Sequence, residues 1–188
     1  MDIAEVNNSW ATLMVKAYPF ALVCFSLLIN LLVFGVEPLV IALPSPEVVD
    51  ALIIAAVLLL GNHSWLMTVT ELTRAKHDLA ATPEEWDEKG GRPQSIAQEA
   101  RDALERRHNA HRNTTENSIY FMLLAAVIAV VSPAALMAQA WIVGFAVSRL
   151  GYTYSYLSAQ TGLRGLFMSL SLLCLYGMAS YLVVAMFV

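Results

Sequence analysis

Leu104-Glu105-Arg106-Arg107-His108-Asn109-Ala110-His111-Arg112-Asn113-Thr114-Thr115-Glu116 runs straight into a segment that carries no further charge until Arg149. A helix this polar that feeds a membrane helix sets Arg, Asn and Glu at the edge of the bilayer. Such groups are expensive there and are usually kept for a ligand or a structural partner.

The rest of the chain fits a membrane protein. Of its 188 residues, 58% are hydrophobic and 14% charged, against roughly 25% charged in soluble domains. Lys16 and Glu37 bracket twenty uncharged residues, as do Asp50 and Glu71; thirty-two separate Glu116 from Arg149, and twenty-four follow Arg164. A spanning helix needs about 20. Five spans are expected, at about 14–43, 48–80, 112–131, 134–158 and 162–187, the third and fourth turning at Ser132-Pro133, where proline ends one helix and suits the first turn of the next. The fold class is therefore an all-α integral membrane protein.

Charge sets the expected orientation. Residues 71–116 hold eight of the eleven Lys and Arg, whereas 37–50 hold only Glu37, Glu47 and Asp50. The positive-inside rule puts 71–116 in the cytoplasm and 37–50 outside, with an inside N-terminus and an outside C-terminus. The start, with Asp2 and Glu5, has no basic region of the kind that opens a cleavable signal. The thin net charge of −4 argues against nucleic acid. Cys24 and Cys174 lie in apolar spans without C-x-x-C spacing and read as buried packing residues.

The main excursion is a cytoplasmic loop at about 81–98. Thr82-Pro83-Glu84-Glu85 reads as a helix start, with Thr as N-cap, Pro in the first helical position and acids in the first turn. Gly90-Gly91-Arg92-Pro93 breaks that helix, and 94–131 reads as one continuous helix.

On that helix Glu105, Arg112 and Glu116 fall on nearly one face, with His108 and Asn109 between them and Asn113 one position round. Arg112 and Glu116 are one turn apart and able to pair. Two readings stand: a salt-bridge network that anchors the helix end, or a site for a small zwitterion, whose carboxylates need a guanidinium fork and whose ammonium needs a carboxylate. Arg149 lies between apolar runs, with Tyr152 and Tyr156 on its own face, and Glu116 is one candidate partner. Arg74 ends the second span and Arg164 begins the last. Arg74, Arg112, Arg149, Arg164, Asn113, Glu116 and Tyr156 all fall at one membrane level on four spans. Guanidinium groups around one cleft would make an anion site and lower the pKa of a bound thiol.

No metal site is expected. Glu105-x-x-His108 has half of a di-iron pattern without a second half. The four histidines, His63, His77, His108 and His111, are too few for desaturase-type boxes. There is no Gly-rich phosphate loop and no G-x-S-x-G elbow.

At Glu105-Arg106, Ala110-His111-Arg112-Asn113 and Glu116 the chain resembles the MAPEG family, the membrane-associated proteins of eicosanoid and glutathione metabolism, with its E-R-x-x-x-A-x-x-N-x-x-E pattern. Arg149, Tyr152, Tyr156-Leu157, Arg164 and the placing of Arg74 before Thr82-Pro83-Glu84 add support. The likeness covers about 48–187 and is nearest to microsomal glutathione transferases and the microsomal type of prostaglandin E synthase. It implies a four-helix bundle over 47–188, with 1–46 as an extra N-terminal transmembrane segment. It implies a homotrimer with glutathione, as cosubstrate, bound between subunits near the cytoplasmic side. Arg112, Asn113 and Glu116 would hold the peptide's polar ends, with Arg149, Tyr152 and Tyr156 nearby. Arg74 would come from the adjacent subunit, and Arg164 would act on the thiol. Asn109 stands where the family often has Arg. Gly165 and Met168 stand where the prostaglandin synthase type has a serine and a tyrosine.

The expected function is a glutathione-dependent transferase or peroxidase acting on lipophilic electrophiles or lipid hydroperoxides from the bilayer. The alternative is a non-catalytic accessory subunit that docks a protein partner through residues 14–43. A small transporter is disfavoured, because the spans show neither paired broken helices nor repeats.

Overall fold

The computed structural model describes residues 10–188 apart from 92, 94 and 132, so Met1 to Glu5, Arg92 and Ser132 lie outside the described residues. Among the described residues six α-helices follow one another: α1 Trp10–Ile29, α2 Pro46–Lys76, α3 Pro83–Glu88, α4 Gln98–Val130, α5 Ala135–Leu157 and α6 Thr161–Ala185. No strand occurs among the described residues. Among the described residues three helical segments are long and apolar enough to cross a membrane, Thr12–Phe34, Pro46–Lys76 and Thr161–Ala185. The protein is an integral membrane protein. The two other segments read as spans lie in α4 and α5, which do not meet that measure.

Helix ends follow their residues. α1 continues as a π-helical turn over Asn30–Phe34 and stops at Gly35, whose φ is +74°. The expected first span, to residue 43, is therefore too long: left-handed Gly35 breaks the helix, and Pro38 and Pro44 keep the following segment irregular. α2 begins at Pro46 and ends where Asp78 turns to φ +52°, with Leu79 N–H bonded back to Arg74 O at 2.9 Å. α3 starts as expected: Thr82 Oγ1 accepts from Glu85 N–H at 3.4 Å, and Glu85 Oε2 accepts from Ala81 N–H at 2.7 Å. α4 is about 50 Å long, more than the roughly 30 Å of bilayer hydrocarbon. α4 ends at Val130 and α5 begins at Ala135.

Helices α2, α4, α5 and α6 form a bundle, in which α5 packs against the other three and α4 also meets α6. Phe121 of α4 stacks on Phe145 of α5, centroids 4.4 Å apart, and Ile128, Met137, Ile142 and Met178 fill the space around them. α5 and α6 approach closely because Gly177 and Gly151 leave room for rings. A Cβ on Gly177 would stand 2.4 Å from Trp141, and one on Gly151 would stand 2.3 Å from Phe167.

α1 packs on α6, and the π-helical turn that continues it also meets α5. Polar groups fasten it. Tyr18 OH donates to Ser169 Oγ at 2.6 Å, and the Ser26 and Ser180 hydroxyls meet at 3.1 Å. Buried Asn30 donates to Gly177 O at 2.8 Å and Ser180 Oγ at 3.0 Å, while its carbonyl accepts from Trp141 Nε1 at 2.9 Å. The amide thus has its main bonding needs met inside an apolar layer. Cys24 is a correction: it is exposed, because only one flank of α1 meets the bundle, whereas Cys174 is buried as expected.

Candidate functional site

The polar residues around Arg149 and the first half of α4 sort into three neighbouring places. The first is the bundle interior. Arg149 has 0% exposure. Its Nη2 donates to Asn113 Oδ1 at 2.9 Å and Thr114 Oγ1 at 2.8 Å, and its Nη1 donates to Ser171 Oγ at 3.5 Å. The expected Glu116 partner is not the one observed. Arg149 sits on the core face of α5, where α4 presents Thr114 and the inner edge of Asn113, while Glu116 points outward.

The second place is a cleft of about 400 Å³ at the ends of α4, α5 and α6, lined by Glu105, Arg106, Asn109, Tyr156, Thr161 and Arg164 among others. Arg164 lies over the Tyr156 ring, its Cζ 5.0 Å from the centroid. Tyr156 neighbours Tyr152, centroids 5.5 Å apart, and Tyr152 carries the Arg149 guanidinium 4.2 Å from its own centroid. An Arg–Tyr–Tyr–Arg series therefore links the interior to the cleft, each cation set on an aromatic face that attracts it.

The third place is a groove of about 300 Å³ between α2 and α4, lined by Met67, Thr70, Glu71, His108, His111 and Arg112. Arg74 reaches its edge, paired with Glu71 and 3.3 Å from His108 Nε2. Arginine only donates, so His108 Nε2 is the acceptor and the ring is neutral. Partial burial, together with the Arg74 charge, holds the His108 pKa below its ordinary value, against the opposing pull of Glu71. His111 is lowered as well, by burial and by His63 and His108; the His63 and His111 rings lie 5.0 Å apart.

Asn109 connects cleft and groove. It lines the cleft, and its carbonyl accepts from Arg112 Nη2. This corrects the expected Arg112–Glu116 pair: Arg112 turns back one turn to Asn109. Among the described residues Glu116 makes no ion pair, and it is exposed. Within the chain, then, the four arginines do not surround a single cleft. Arg149 is interior, Arg164 is in the cleft, and Arg112 and Arg74 are on the α2 side of α4. Asp102, Arg106 and Thr161, which line the cleft, were not singled out as site residues from the sequence. Arg106 and Asp102 carry the helical spacing that would have flagged them, three and seven positions before Asn109.

The core face of α4 runs through Ala110, Thr114, Asn117, Phe121 and Ala125. Glu105, Arg112 and Glu116 lie on the opposite side and are exposed. Among the described residues no group of three or more His, Cys, Asp or Glu converges to hold a metal ion.

The profile of the MAPEG family matches residues 52–184. No curated protein matches the chain. The matched segment holds α4, α5, almost all of α6 and most of α2, together with every residue of the interior cluster, the cleft and the groove. The chain belongs to the MAPEG family.

Proposed function

We propose that the protein is a glutathione-dependent membrane enzyme, a transferase or peroxidase, in which Arg164 favours the glutathione thiolate. The observation that carries this reading is Arg164 held over Tyr156 on the wall of a polar cleft, beside Arg106 and next to the Asn109–Arg112 contact. A guanidinium beside a thiol stabilises its charged form, and the thiolate is the nucleophile. The proton goes to solvent at the cytoplasmic end. In the transferase reaction sulfur then forms a bond to an electrophilic carbon, and either the leaving group on that carbon departs with its bonding electrons or, at an activated double bond, the π electrons move to the neighbouring atom, which takes a proton from solvent. In the peroxidase reaction the thiolate attacks the outer oxygen of a lipid hydroperoxide, and the O–O bond breaks to release an alcohol. A second glutathione then reduces the sulfenic acid to disulfide and water.

The outward face of α4 supports a homotrimer with shared sites. Glu116 lies among exposed Ile119, Tyr120 and Leu123. A carboxylate facing lipid there is costly, and a neighbouring subunit that brings Arg74 toward Arg112, Asn113 and Glu116 would cover it. In this reading all five apolar segments span, 71–116 faces the cytoplasm, residues 47–188 are the working unit, and 1–46 add a helix.

The second reading is an accessory subunit. It is favoured by α1 and the π-helical turn that continues it, which leave Leu13, Phe20 and Leu32 exposed. Calorimetry of detergent-purified protein with glutathione separates the two. Binding that Arg112→Ala weakens by roughly tenfold or more, the loss of a charged hydrogen bond, supports the enzyme. No binding at millimolar glutathione, with stable copurification of a second membrane protein, supports the accessory subunit.

A further inference from the structure

Three side chains at the level of Arg149 leave polar atoms without a protein partner. Asn62, Arg149 and Thr153 are fully buried. Both amide atoms of Asn62, Nε of Arg149 and the Thr153 hydroxyl have no hydrogen-bond partner among the described residues. Buried polar groups are rarely left so, and in an apolar layer each is costly.

These atoms share one level. α2 and α4 run antiparallel, since His63 meets His111 and Val69 O accepts from Arg107 Nε at 3.2 Å. Asn62, one residue before His63, thus falls level with Asn113 and Thr114, within one helical turn. Those are the residues that Arg149 grips. Thr153 is one turn along α5 from Arg149, and α2 packs beside α5.

We propose that Asn62, Thr153 and Arg149 enclose an internal water site inside the bundle, where ordered water completes the bonding of the guanidinium that holds Asn113. The donor set selects water. A cation is repelled by Arg149. A chloride ion would accept from Arg149 Nε–H, Asn62 Nδ2 and the Thr153 hydroxyl, but would leave Asn62 Oδ1 unpaired. Water accepts from Nε–H and Nδ2 and donates to Oδ1 and Oγ1, within the two to four bonds typical of buried water. The site ties α2 to Arg149, which Asn62 does not otherwise bond, and makes Asn62 and Thr153 positioning residues for the Arg149–Asn113 contact. The inference does not depend on the glutathione reading.

The test is a high-resolution structure of the purified protein, with thermal unfolding of Asn62→Leu, Thr153→Val and the double variant. Density within hydrogen-bond reach of all three side chains is expected, and Thr153→Val should remove or displace it. Each single variant should unfold about 2–6 °C lower, and the double variant should lose less than the sum, because both residues hold the same water. In a dry site, removing an unpaired hydroxyl or amide is neutral or stabilising. No density in a map that shows other core waters, an anomalous signal after chloride is exchanged for bromide, or an unchanged or raised Tm for Thr153→Val would each overturn the proposal.

Discussion

Arg149 donates to Asn113 Oδ1 at 2.9 Å from the fully buried face of α5. This contact joins the bundle interior to the polar stripe of α4. It also fixes the amide of Asn113: the carbonyl is taken, so Asn113 offers N–H to its other side. Arg149→Lys keeps the charge but cannot span both Asn113 and Thr114 from one planar fork. It should destabilise the protein by about 1.5–3 kcal/mol and weaken any ligand that uses the Asn113 N–H. Thermal unfolding in detergent checks this, and an unchanged Tm would mean that the contact does not hold the interior together.

Asn30 is the clamp between α1 and the bundle. Asn30→Leu strands Trp141 Nε1 and frees Ser180, at an expected cost of about 0.6–1.7 kcal/mol, the range for interhelical bonds in membranes. The loss should appear as faster protease cleavage near residues 35–45 and a shifted Trp141 fluorescence. If neither changes, α1 is held by its apolar flank instead.

Gly177 leaves room for the Trp141 ring. In Gly177→Ala the new methyl would overlap that ring, which Asn30 also holds. The ring cannot move freely, so a loss of about 1–3 kcal/mol is expected from overpacking. A thermal melt equal to wild type would show that α5 and α6 can separate at little cost.

His108 should make stability pH-dependent. Its folded pKa lies below the ordinary 6.5 because of burial and Arg74. The unfolded chain therefore takes up the proton first. The stability supplied by neutral His108 is complete above the ordinary value and is lost as pH falls through the lowered folded value. His111 works in the same direction. Tm should fall on acidification below about pH 6.5, and His108→Asn should flatten that fall. An equal acid slope in both proteins would remove His108 from the account.

Much of the fold was legible because charge spacing and helix punctuation are local. Lys16, Glu37, Asp50 and Glu71 bracket apolar runs whatever the packing, and Thr82-Pro83 and Gly90-Gly91 act within a few residues. The length of the first span was misread because apolar residues continue past Gly35, and only the backbone turn shows that the helix has ended. The site was legible as a set of residues and less so as a geometry. Spacing put Arg112 within reach of Glu116, and only the bundle shows Arg112 turned to Asn109 and Arg149 turned to Asn113. Asn30 and Asn62 passed unnoticed, although each is the single asparagine of its apolar run and so had a visible signal.

The most direct test of the central claim is the thiolate ultraviolet absorbance of glutathione bound to the purified protein near neutral pH, with wild type compared with Arg164→Ala. The account predicts a thiolate signal on wild type that Arg164→Ala abolishes, with folding retained. An equal signal in both proteins, or glutathione bound without any thiolate, would contradict it.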